Sequence, residues 1–169
     1  ISDNMFTQAV NVFTGQTGTA VDALDGAARP IPQVARRYKA QGLGWAVVGD
    51  DNYGEGSSRE HAAMSPRHLG CRLVIAKSFA RLHLTNLKKQ GILTCTFTRP
   101  ADHDALRADD RLSLHGLREL APGRPLRATI HRQDGSTEPV ELAHSYTEEQ
   151  IRWFRAGSAL NLFRHGTPA

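Results

Sequence analysis

The chain has 169 residues, enough for one domain with a hydrophobic core and too few for two of ordinary size, so residues 1–169 are expected to form a single domain. A composition of 40% hydrophobic and 22% charged residues excludes a disordered or fibrous class, and the apolar runs are far too short for a membrane-spanning helix. The net charge of +4 favours anionic ligands, yet Arg36-Arg37 and Lys88-Lys89 are isolated pairs rather than a basic stripe with interleaved aromatics, which argues against nucleic acid.

Residues 1–44 read as loop and short elements, with a strand expected near 9–12 and glycines at 15, 18 and 26 as punctuation. Ile31-Pro32-Gln33-Val34 leads into a charged stretch, 35–41, whose composition predicts a short surface helix ending at Gly42 or Gly44. Residues 44–49, Gly-Trp-Ala-Val-Val-Gly, are apolar on both alternating sets, the pattern of a central parallel strand covered on both faces. A run of turn formers follows from Asp50 to Ser58. Residues 59–64 then have helical composition, with Ser57 or Ser58 available as N-cap and Pro66 as a limit.

Leu73-Val74-Ile75-Ala76 predicts a second buried strand, and Phe79, Leu82, His83 and Leu87 fall at helical spacing before Gly91. A third strand is expected over 92–97. This alternation implies βαβ crossovers and a sheet that is parallel at least in part. Beyond it, Ser113-Leu114, 126–131 and 140–144 alternate like half-exposed strands, and Gln133-Asp134-Gly135-Ser136 is a hairpin turn signal, so an antiparallel unit is expected. Thr147-Glu148-Glu149-Gln150 is a capping box opening a helix over Ile151, Phe154, Leu160 and Phe163, with Gly157 as a break.

The chemistry concentrates in Gly54-Glu55-Gly56-Ser57-Ser58-Arg59. Two glycines let a ligand approach the main chain, and a helix N-terminus offers free N–H groups and partial positive charge. Arg59 adds a planar cation able to grip a carboxylate through two hydrogen bonds, and such donors could activate the Ser57 hydroxyl. The plainer alternative is a serine cap, tight-turn glycines and an Arg59 paired with Asp50 or Glu60. Neither a Gly-x-Ser-x-Gly elbow nor a phosphate-binding Gly-Lys-Ser/Thr is present. His61, His68 and His83 read as surface or satisfied core histidines. Cys71 and Cys95, 24 positions apart without Cys-x-x-Cys, read as free packing thiols.

Residues 49–63, Gly-Asp-Asp-Asn-Tyr-Gly-Glu-Gly-Ser-Ser-Arg-Glu-His-Ala-Ala, resemble the signature of the aconitase family, mitochondrial type. Further matches are Pro66-Arg67-His68-Leu69-Gly70, residues 77–83, residues 85–91 and Trp153-Phe154-Arg155-Ala156-Gly157-Ser158-Ala159-Leu160-Asn161, so the similarity spans nearly the whole chain. The resemblance implies an α/β fold, the aconitase-type swivelling β/β/α domain with a partly parallel central sheet flanked by helices. In that family the domain closes over a [4Fe–4S] cluster carried by three other domains, and the enzyme isomerises citrate to isocitrate through cis-aconitate.

By the same resemblance Ser57 is the base that removes a proton from carbon, while Ser58 and Arg59 bind substrate carboxylates. No cofactor is expected within this chain: a [4Fe–4S] cluster would have to come from a cluster-bearing aconitase core, the implied partner beside a small polycarboxylate. The family's cluster cysteines belong to segments outside this sequence, and Cys71 stands where the family usually has glycine. The mitochondrion is the implied location and the cytoplasm the alternative; Ile1-Ser2-Asp3-Asn4 carries no leader pattern, so a targeting segment would lie outside the chain. Two other readings stand beside the hydro-lyase domain. One is a free-standing, cluster-free domain doing acid–base isomerisation, dehydration or cyclisation of another anionic metabolite. The other is a non-catalytic module binding RNA or a small anion.

Overall fold

A computed structural model describes residues 5–6, 8–55 and 61–165. The chain runs β1 (Thr19–Val21), β2 (Ala28–Pro30), α1 (Ile31–Ala40), β3 (Trp45–Val48), α2 (His61–His68), β4 (Cys71–Ala76), α3 (Arg81–Lys89) and β5 (Leu93–Phe97). It continues through α4 (Pro100–Ala105), β6 (Arg111–His115), a 3-10 turn, β7 (Leu126–His131), β8 (Thr137–Ala143), α5 (Glu148–Ala156) and α6 (Ala159–His165). β1 and β2 form a small hairpin, and the other six strands make one mixed sheet in the order β3-β4-β5-β8-β7-β6. The fold is α/β, with β3–β4–β5 parallel and β8, β7 and β6 antiparallel, as the switch in sequence pattern predicts.

The hydrophobic core follows from strand alternation. On β4, Leu73 and Ile75 join a cluster with Leu93, Cys95, Ile130, Leu142 and Ile151, whereas Val74 points the other way, into a cluster with Ala63 of α2, Leu87 of α3 and Ile92. Each fully buried aliphatic side chain here contributes about 1.5–3 kcal/mol. Crossovers through α2 and α3 are required because parallel neighbours cannot be joined by a tight turn.

Several expectations need correction. Residues 45–48 form a parallel strand, but it is the edge of the sheet rather than its centre: Trp45 and Val47 pack inward, while Ala46 and Val48 face out, with Val48 42% exposed. Apolar residues on both alternating sets conceal that only one face is covered. The expected strand near 9–12 reduces to a single bridge, Val10 to Thr17. α1 begins at Ile31, with Pro32 inside its first turn, where a missing N–H costs nothing. Pro66 lies inside α2 rather than ending it; it costs the helix a backbone bond, but α2 runs on to His68. α5 carries the complete capping box at Thr147 and Gln150 and ends at Gly157 with φ +96°, as the sequence predicts.

The β1–β2 hairpin is locked by a buried carboxylate. Asp22 is fully buried, accepts the Leu24 N–H at 2.8 Å, and pairs with both Arg29 and Arg37, which ties the hairpin to α1.

Candidate functional site

Open parallel sheets present their loops at the carboxyl ends of the strands, where ligands of such folds commonly bind. Here β3 ends into the glycine loop, β4 into residues 77–80 and β5 into α4. The first half of the glycine loop, residues 50–55, is pinned against the segment after β4. The Gly49 N–H donates to Ile75 O at 2.8 Å, the Asn52 N–H to Ser78 Oγ at 2.7 Å, and the Tyr53 N–H to Ser78 O at 3.0 Å. The Ala80 N–H returns a bond to Tyr53 O at 2.9 Å, so Tyr53 and Phe79 form a one-residue parallel bridge beyond the sheet.

Side chains complete the anchor. The Tyr53 ring meets Phe79 edge-on at 5.9 Å and lies 5.5 Å from the His83 ring; burial raises its phenol above the ordinary tyrosine range. Gly54 has φ +91°, and a Cβ built there would overlap the His83 ring, so only glycine fits both the turn and the space. His83 is 3% exposed, and its Nδ1 has no hydrogen-bond partner among the described residues. Burial lowers its pKa, so the ring is neutral at physiological pH.

Charge at the mouth of the loop is arranged by Asp50 and Lys77, 3.1 Å apart. The lysine holds the Asp50 carboxyl below its usual range, and the carboxylate raises the lysine in turn. His103 and Asp104 of α4 are close enough to act on the same pair. Asp50 is therefore committed to Lys77.

The sequence-predicted site residues Ser57, Ser58 and Arg59 lie outside the described residues. What the structure adds is the frame that delivers the chain to them: Tyr53, Gly54, Ser78 and His83. Sequence reasoning missed Ser78 and His83 as part of the site. The available signal was position, since Lys77-Ser78 directly follows the carboxyl end of a buried parallel strand.

The two cysteines do not fit an iron–sulfur cluster. Cys71 packs with Val74 on one face of the sheet and Cys95 with Leu73 and Ile75 on the other, and burial pushes both thiols up to about 12. Ligation needs accessible thiolates converging on one point.

The family model described as "Aconitase C-terminal domain" matches residues 1–100. "Aconitate hydratase, mitochondrial" of Gracilaria gracilis is 53% identical over 161 residues, 95% of this chain and 21% of that protein. "Probable aconitate hydratase, mitochondrial" of Caenorhabditis elegans is 52% identical over 161 residues, and the Saccharomyces cerevisiae mitochondrial aconitate hydratase 47% over 161 residues; each match again covers 95% of this chain and 21% of the relative. The chain thus spans about a fifth of the length of these relatives. A solved 3-isopropylmalate dehydratase from Methanocaldococcus jannaschii superposes with a TM-score of 0.48 at 21% identity, covering 70% of this chain and 62% of that one.

Proposed function

The chain belongs to the aconitase C-terminal domain family, and from that premise we propose that residues 1–169 act as the swivelling domain of a hydro-lyase working on a polycarboxylate of the citrate, cis-aconitate and isocitrate type. Ser57 serves as the base that takes a proton from the substrate carbon, and Ser58 and Arg59 hold carboxylates. The reaction's [4Fe–4S] chemistry comes from a cluster-bearing core of the same enzyme, and the mitochondrial names of the relatives favour that compartment.

The observation that carries this reading is the rigid first half of the glycine loop. A weakly basic serine works only if donors are held where its alkoxide forms, and an oxyanion site tolerates little displacement. Hydrogen bonds from the Asn52 N–H to the Ser78 hydroxyl, from the Tyr53 N–H to the Ser78 carbonyl and from the Ala80 N–H to the Tyr53 carbonyl supply that rigidity, and the neutral His83 ring under Gly54 sets the depth of the turn. Arg59 suits the carboxylate role because its guanidinium stays charged and binds in a planar fork.

Mixing the chain with a cluster-loaded aconitase fragment that lacks this domain tests the proposal. Hydration of cis-aconitate should return with the chain present. Ser57→Ala should then lower kcat by about 10²–10⁴-fold, the usual span for a general base, while Arg59→Gln should act mainly on KM. Full restoration by Ser57→Ala would remove the serine from its role.

A further inference from the structure

At the other end of β3 and β4, away from the glycine loop, the C-terminal ends of α1 and α2 meet around a pocket of about 300 Å³. That volume lies at the small end of ligand-binding pockets. Its charged lining is wholly basic: Lys39 from the last turn of α1, Arg67 and His68 from the last turn of α2, and Arg72 from β4, with Gly42 and Gly70 between them. Among the described residues no carboxylate forms an ion pair with any of the four.

Basic residues at helix C-termini often do no more than satisfy terminal carbonyls. Two of these do so in part: Lys39 Nζ donates to His68 O at 2.6 Å, and Arg67 Nη2 reaches Gly157 O at 3.4 Å. Arg72 does not. It has no hydrogen-bond or ion-pair partner among the described residues, and it belongs to a strand rather than a helix end.

Yet Arg72, though exposed, is specifically placed. It is the extra residue where the β3–β4 register slips, since Trp45 pairs with Cys71 and Ala46 with Leu73. Such bulges re-aim a side chain out of the regular alternation. Gly44 makes room for its stem, for a Cβ there would come within 2.7 Å of Arg72 Cγ. Burial and then the neighbouring Arg72 charge both lower the pKa of Arg67, so the two guanidiniums oppose each other. A fold that gathers like charges without a counter-charge is stabilised by whatever anion enters between them.

We propose that this pocket is a second anion site, in which Arg67 and Arg72, beside Lys39, grip a small multivalent oxyanion of the phosphate or polycarboxylate kind. Paired guanidiniums favour such ligands because each offers a two-bond fork to neighbouring oxygens. The site is separate from the glycine loop and does not depend on the reading given to that loop.

Isothermal titration of the chain with pyrophosphate and with citrate, in low-salt buffer, tests it. Saturable binding is expected, at least tenfold weaker in Arg72→Gln and unchanged in Arg127→Gln, an exposed arginine on β7 outside the pocket. Of the binding lost in Arg72→Gln, a larger share for pyrophosphate assigns a phosphate ligand and a larger share for citrate a carboxylate one. Amide shifts of Gly42 and Gly70 during titration of the unaltered chain give a readout independent of variant folding. Equal heat from potassium chloride at matched ionic strength, pyrophosphate binding that survives Arg72→Gln, or titration that leaves both of these glycines unshifted would each overturn the site.

Discussion

In β3 to β5 helices and loops press directly on the main chain, whereas in β6 to β8 the holding is done by side chains at the strand ends. Gly54 meets the His83 ring and Gly91 meets the Gly157 carbonyl, each without room for a Cβ. The glycine of the β7–β8 turn, Gly135, has open space around it, and Arg132 instead gathers Asp110, Glu138 and the Ala105 carbonyl. The difference teaches where glycine is a demand for space and where it is only a demand for a left-handed backbone. The described part of the glycine loop, residues 50–55, sits in the first kind of region, where small displacements of a helix reach it directly.

Gly91→Ala is the severest test of that contrast. Gly91 closes α3 with φ +79°, and an added Cβ would overlap the carbonyl oxygen of Gly157 at the α5–α6 corner, which is backbone and cannot rotate away. We expect a loss of about 3 kcal/mol or more by urea unfolding. Gly135→Ala, with φ +86° but nothing nearby, should lose only about 1 kcal/mol from backbone strain. Similar losses at both positions would dissolve the distinction.

Gly54→Ala comes next, at about 2 kcal/mol, because its obstacle is a side chain that can be removed. Shortening the obstacle makes the test specific: His83→Ala combined with Gly54→Ala should cost less than the sum of the two single changes, by about 0.5–3 kcal/mol. Strict additivity would mean that His83 does not set the position of the loop.

Much of this was legible in the sequence, for physical reasons that differ by region. The parallel strands and crossovers announced themselves through apolar runs separated by Gly91 and the turn-rich segment 50–58, and the capping box at Thr147 reads directly because it is local. What sequence could not give was neighbourhood. Ala46 and Val48 look like core residues until the sheet order puts β3 at an edge. α4 escaped notice because none of its six residues is fully buried, leaving no apolar periodicity to detect. The glycine motif was visible, but Ser78 and His83, its supports, stand 24 and 29 positions beyond Gly54 and were joined to it only by folding. The basic pocket was invisible for the same cause, being assembled from α1, α2 and a bulge in β4.

The last contrast concerns the two halves' buried cations, and it is a difference in slope. Arg132 lies among carboxylates, and its hydrogen bond with Glu138 raises its pKa. Lys88, 3% exposed, has only neutral partners among the described residues: the Ser145 carbonyl at 3.0 Å, the Ser145 hydroxyl at 2.9 Å, the Gln150 amide oxygen at 3.0 Å and the Tyr146 ring. Burial pushes its pKa down to about 8, against about 10.4 in the unfolded chain. Between those values the unfolded state binds the additional proton, so this residue makes stability rise with pH; below about 8 its charged form weighs fully against the fold. Cys71 and Cys95 act in the opposite sense, since their thiols stay protonated to about 12 when folded but ionise from about 8.5 when unfolded, so stability falls as pH rises. Total stability therefore mixes both signs, and only a difference isolates the lysine. Lys88→Met keeps the stem and removes the charge, so from about pH 8 to about pH 10.4 the variant should lose stability more steeply than the unaltered chain. Urea midpoints across that window measure it. Parallel profiles would mean that hydrogen bonds to Ser145 and Gln150 already compensate for desolvation, and that the parallel half holds its cation as well as the antiparallel half does.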